Sequence, residues 1–174
     1  MKKSLILLLT LLLCVCMVGG CGGQDEPAGD TAEPEATEPE PTSIPVVLEM
    51  DGLTVTAELP LEGWCYKDSD RDLYIYNVPT IEDAASNSPL IKISIHDSLE
   101  SFDYYIDDFT GLESIDNRTI GGIDMTGRTY ENFGMEWIEY LGQINDDFAV
   151  SIQVSKVDIS SGEGNEVINS IQFS

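Results

Sequence analysis

Asp68, Asp70 and Asp72 alternate along a short acidic run, the spacing at which carboxylates open a calcium loop. Such a loop also needs glycine at its sixth position and glutamate at its twelfth. Here those positions hold Leu73 and Pro79, so the run is expected to be a solvated hairpin turn and not a metal site. His96 is the single histidine and ends an apolar run beside Asp97. No serine at nucleophile-elbow spacing accompanies it, so a structural histidine is expected rather than a catalytic base. Zinc would need more His and Cys than the chain offers. No cofactor-binding pattern is read, and no catalytic residue is assigned. The more distinctive pattern is Glu100, Asp103 and Asp107 at offsets 0, 3 and 7, with Asp108 beside them. On a helix these share one face, and Asp107 and Asp108 would oppose the dipole in its last turn. They are expected to form an acidic ridge, either plain solvated surface of an acidic chain or a ridge able to dock a basic protein or a cationic ligand. Trp64, Tyr66, Tyr74, Tyr76, Tyr104, Tyr105, Trp137 and Tyr140 are expected to pack the core and sheet faces rather than line a pocket.

A second kind of chemistry belongs to Cys21. Lys2 and Lys3 precede an apolar run from Leu5 to Val18, which ends at Gly19-Gly20. A membrane-spanning helix needs about 20 apolar residues, so this run is short for a span and reads as a secretory leader with small cleavage-site residues. Its small-small-Cys ending resembles the lipobox of bacterial lipoproteins. That resemblance implies cleavage after residue 20 and a diacylglyceryl (palmitate-type) modification of Cys21. Two acyl chains hold a protein at a membrane where one holds it only marginally.

Composition narrows the partners. The chain has 32 acidic residues against eight basic ones, a net charge of −24. Lys2 and Lys3 fall in the leader, so the rest carries six bases against 32 acids, near −26. Such a surface repels phosphate backbones and anionic headgroups and excludes nucleic-acid binding. Residues 21–45, with repeated Pro and Glu and almost no large apolar side chain, form an acidic disordered tether. Residues 46–174 form one domain, large enough to bury a core. It holds one cysteine, Cys65, so no internal disulfide is available, and Cys65 is expected to be a small core residue beside Trp64.

The elements that position these residues follow from turn signals and periodicity. Val46–Met50 and Leu53–Glu58 flank Asp51-Gly52, a strong hairpin signal. Trp64–Lys67 and Asp72–Val78 flank the acidic run, Thr80–Pro89 is loop-like, and Leu90–His96 is a central-looking strand. Leu99, Phe102, Ile106 and Phe109 at offsets 0, 3, 7 and 10 predict a helix capped by Asp97 and closed by Gly111. That stripe is expected to pack on Ile93, Ile95, Val150 and Ile152. Strands are expected over Ser114–Ile120, Ile123–Asn132, Met135–Ile144 and Phe148–Val157. In the last, Phe148, Val150, Ile152 and Val154 alternate with Ala149, Ser151, Gln153 and Ser155, which predicts one buried and one wet face. A short helix at Glu163–Asn169 precedes Ile171-Gln172-Phe173. The sum is α+β: an antiparallel sheet of about six or more strands with an opening β-hairpin and helices packed on it.

Several landmarks together resemble the PsbP-like (Mog/PsbP-type) family. They are the opening hairpin, Leu59-Pro60 to Gly63-Trp64, Gly122-Ile123 to Gly127-Arg128, and the ending Glu166 to Phe173. The resemblance implies an α/β/α sandwich and brings no shared active site, so it carries fold but little function. Two functional classes follow. One is a membrane-anchored, extracytoplasmic, non-catalytic binding or assembly module of the bacterial cell envelope. The alternative is an envelope hydrolase with a carboxylate-based site.

Overall fold

The structure, a computed structural model, describes residues 41–104, 106–155 and 162–174. β1 (Ser43–Met50) and β2 (Leu53–Pro60) form the opening hairpin. Ser43, Ile44 and Pro45 thus join a strand instead of the expected tether. Pro45 is tolerated because β1 is an edge strand with no ladder to complete on its outer side. β3 (Cys65–Asp68) and β4 (Asp72–Tyr76) flank the acidic turn. Within the expected loop lies α1 (Ile81–Ala84), capped by Thr80, whose hydroxyl accepts from the Asp83 amide. Then come β5 (Ile91–His96), β6 (Thr110–Ile120), β7 (Ile123–Asn132), β8 (Met135–Gln143) and β9 (Ala149–Ser155). α2 (Gly162–Ser170) and β10 (Gln172–Phe173) complete the described chain.

Three two-residue turns, Asp51-Gly52, Gly121-Gly122 and Phe133-Gly134, hold both central residues at positive φ: 42° and 92°, 58° and 80°, 53° and 75°. This is the geometry whose twist suits a tight hairpin. The expected single sheet is corrected to two. β3-β4-β5-β9-β8-β7-β6 form a seven-stranded sheet with every neighbour antiparallel, and β1-β2-β10 form a three-stranded one. The molecule is therefore sheet-rich α+β. One apolar cluster joins Val46, Leu48, Val55 and Leu59 of the small sheet to Leu73, Ile75, Ile93, Ile95, Val150 and Ile152 of the large one, with Val167 and Ile168 of α2. α2 buries Gly164, Val167 and Ile168, one face of a helical turn. The Arg118 guanidinium clamps it from β6, donating to the Asn165 and Asn169 side-chain oxygens at 2.8 and 2.6 Å.

The helix expected after His96 is not an α-helix. The segment forms two 3-10 pieces, Leu99–Asp103 and Ile106–Asp108. Asp97 does not cap it; its carboxylate pairs with Arg71 at 2.7 Å. Ser98 stands at the N-cap with no capping bond from its side chain, which meets the Ser101 hydroxyl instead at 3.3 Å. Acids crowd the segment and no basic residue stands in its last turn, where the dipole needs one. Tertiary contacts then decide its shape. Phe102 also lies on the other face from the one expected. It is half-buried edge-on against His96, with ring centroids 4.6 Å apart, whereas Ile93 and Ile95 point into the core. Phe109 stacks on Tyr130 at 4.0 Å. The expected wet face of β9 is corrected by the same contacts. β9 is the fourth of seven strands with the 3-10 segment over it, so Ser151 is 0% exposed.

Candidate functional site

The covered face of the large sheet carries the chemistry. Its strands alternate, so Leu73, Ile93 and Ile152 face the core while their neighbours Asp72, Ser94 and Ser151 face the other way. In register, Asp72 lies opposite Ser94 and Ser94 opposite Ser151. The adjoining row runs Tyr74, Lys92, Gln153, Glu139, Arg128. A polar belt therefore crosses five strands.

At one end of the belt is Glu139, 1% exposed. Arg128 Nε donates to Glu139 Oε2 at 2.5 Å, the Ser151 hydroxyl donates to Oε1, and Gln153 Nε2 donates to Oε1 at 3.2 Å. Gln153 Nε2 also donates to the Tyr130 hydroxyl oxygen at 2.9 Å. The second arm of Arg128 reaches the covering segment, donating to Asp103 Oδ1 at 2.8 Å and to the Phe102 carbonyl at 3.3 Å. One guanidinium thus ties two acids and a backbone carbonyl together, as its fixed fork of donors allows. Burial opposes the charge on Arg128, but Glu139 and Asp103 together hold it protonated beyond the ordinary arginine range. Burial, followed by the charge of Glu139, drives the Tyr130 phenol upward, so it stays a neutral hydroxyl.

At the other end is Asp72. The Ser94 hydroxyl donates to it at 2.6 Å, the Tyr74 hydroxyl at 3.0 Å, and Lys92 Nζ lies 3.4 Å away. Burial alone would raise its pKa, yet Ser94, the Lys92 charge and Tyr74 outweigh it and hold the carboxyl below its usual range. Tyr74 is pushed up to about 12 by burial first and then by Asp72. Both serine hydroxyls donate to carboxylates of the belt. Among the described residues no buried side-chain nitrogen or oxygen lacks a partner. The belt is a satisfied, rigidifying network.

The residues singled out in the sequence are mostly dispersed. Asp68 lies opposite Leu73 and so projects to the core-side edge, while Asp72 projects to the covered face. Asp68 and Asp70 are exposed, and the three carboxylates do not converge on an ion. Among the described residues no group of three or more His, Cys, Asp or Glu side chains is arranged to hold a metal. The expected acidic ridge is also divided. Glu100, Asp107 and Asp108 are exposed, but Asp103 turns inward to Arg128, and a 3-10 path does not stack the four on one face as an α-helix would. Cys65 is a free, half-buried thiol, raised by burial and then by Asp83 and Glu82, which makes it a poor nucleophile.

Trp64 and Tyr140 are core residues as expected, and Trp64 Nε1 donates to Glu163 at 3.4 Å. Tyr104 is 80% exposed. Tyr76 borders an open depression of about 440 Å³ with Asn77, Asn87, Met135 and Ser155. Cys21, the leader and Tyr105 lie outside the described residues. Arg128, Glu139, Ser151 and Gln153 were not singled out by sequence reasoning. Arginine is scarce here, with three in the chain, and Arg128 mid-strand beside a buried Gly127 is the signal that points to them.

No family model matches the chain, and no curated protein matches it. Among solved structures, a protein from Bacteroides thetaiotaomicron is similar at 16% identity with a TM-score of 0.35. The alignment covers 68% of this chain and 44% of that one, so this chain spans less than half the length of the protein it matches.

Proposed function

We propose that this chain is a lipid-anchored protein on the extracytoplasmic face of the bacterial cell membrane. In this reading its domain is a PsbP-like α/β/α sandwich that works as a non-catalytic binding or assembly module. The observation that carries the anchor is the leader ending at Gly19-Gly20-Cys21, followed by the Pro/Glu tether. Support for a binder over a hydrolase comes from the polar belt. A hydrolytic carboxylate pair needs one acid kept protonated near neutrality, whereas Asp72 is held ionised and the Glu139 carboxylate is ion-paired with Arg128. The strongly acidic composition favours a basic protein or cationic ligand as partner and disfavours nucleic acid. The PsbP-like part of the reading rests on the sequence landmarks and on the helix α2 that shares the core with both sheets.

The anchor is tested by Cys21→Ala in the native host with a radiolabelled fatty acid. The expected outcome is loss of label, with the protein released or accumulating as precursor. Equal label in the variant would overturn the lipoprotein reading.

A further inference from the structure

The geometry points to Phe133 as a docking anchor: the tip of the β7–β8 hairpin enters an apolar pocket rimmed by lysine or arginine on a protein partner. Phe133 is 96% exposed, where most other exposed large apolar side chains lie between 37 and 49%. It stands at φ 53° in a two-residue turn whose counterparts use Asp51 and Gly121 at the same position, residue types that accept this backbone readily. A bulky aromatic there is an outlier. It adds nothing to the core and sits in a conformation that asparagine or glycine would occupy with less strain, so neither packing nor turn formation accounts for it. An exposed aromatic presented at the tip of a tight hairpin is the kind of side chain that anchors an interface.

The surroundings select the partner. Glu131 and Glu136 face each other across the hairpin below the tip, and with Glu113 they border a depression of about 180 Å³ that includes Tyr130. An acidic collar behind an aromatic tip matches a basic rim around an apolar pocket. The same collar repels anionic headgroups, and a chain of net charge −24 repels a second copy of itself. The inference rests on the reading of the domain as a binding module and names its contact.

The test uses the full-length protein in its native envelope with photoreactive benzoylphenylalanine at position 133. Matched probes stand at Asp51, the equivalent tip of another hairpin, and at exposed Asp108 and Asp147. The expected result is one discrete protein adduct from position 133, whose mapped peptide is apolar and flanked by Lys or Arg. Its yield should fall roughly tenfold with Glu113→Gln plus Glu131→Gln, or when salt is raised well above physiological. Phe133→Asn should raise the melting temperature by a few degrees while abolishing capture. An adduct to lipid, an adduct to a second copy, or a yield no higher than from Asp51 would overturn the assignment. Partner capture at Asp108 or Asp147 without capture at 133 would sink the anchor alone. Capture at no position would remove the binding reading as well.

Discussion

The two faces of the seven-stranded sheet are built on the same strands and by opposite means. The core face presents Ile93, Ile95, Val150 and Ile152, each 0% exposed, and coheres through burial worth roughly 1.5–3 kcal/mol per large side chain. The covered face presents Asp72, Ser94, Ser151, Glu139 and Arg128, and coheres through directed bonds. A dry face tolerates shape changes of small size, because its forces are non-directional. The polar face has no such latitude, since removing one partner strands another inside. Specific positioning of the 3-10 segment therefore comes from the polar face, through Arg128 to Asp103 and the Phe102 carbonyl.

The largest expected break is Arg128→Met. It leaves the Glu139 carboxylate buried without a cation and should cost about 3–5 kcal/mol in denaturant unfolding. Adding Glu139→Met should recover part of that loss, since a buried pair replaced by apolar residues is often neutral, while Ser151 and Gln153 lose their acceptor. A double variant no better than the single would mean that the pair is not the source of the effect. On the dry face, Ile152→Ala should cost about 2–5 kcal/mol, with no single second-site rescue of the same kind.

Asp72→Asn is smaller and sharpens the comparison through pH. The folded pKa of Asp72 is depressed, so its contribution is present above the ordinary aspartate value near 4 and is lost as pH falls through the folded one. The variant should show a flatter acid limb in a stability-versus-pH profile. Tyr74 is raised to about 12, partly by Asp72. Its contribution is present below pH 10 or so and is lost as pH rises toward 12. The same variant removes part of the cause of that shift, so it should also flatten the alkaline limb between about pH 10 and 12. Unchanged limbs on both sides would separate Asp72 from the belt.

The dry face was legible in the sequence and the polar face was not. Ile91, Ile93 and Ile95 alternate in one run, and Asp51-Gly52 is a local turn signal, so a short window suffices for both. Nothing local marks Glu139, because its partners lie on β7 and β9. Nothing within a few residues of Ser151 states that another part of the chain covers it. The failed helix has the same cause. Spacing at 0, 3, 7 and 10 suits an amphipathic helix, but Arg71 draws off Asp97 and Arg128 draws off Asp103, and both attractions act over long sequence separations. The calcium-like spacing failed on alternation, which sends Asp68 and Asp72 to opposite faces. Phe133-Gly134 is legible only as the break between the strands expected at Ile123–Asn132 and Met135–Ile144; exposure and backbone together make it informative.

One seam governs how the large sheet comes into being. β3, β4 and β5 form one meander between chain neighbours, and β6 to β9 form another. Within the sheet they meet only where β5 pairs with β9, Ile93 opposite Ile152. Hairpins between neighbours close in microseconds, whereas this closure must bring together residues nearly sixty positions apart and bears the larger loop entropy. Within the large sheet, that joining is therefore the step expected to close last. Until it happens, β5 and β9 each present an open, apolar edge, so the interval before the seam closes is when this chain is most exposed to aggregation.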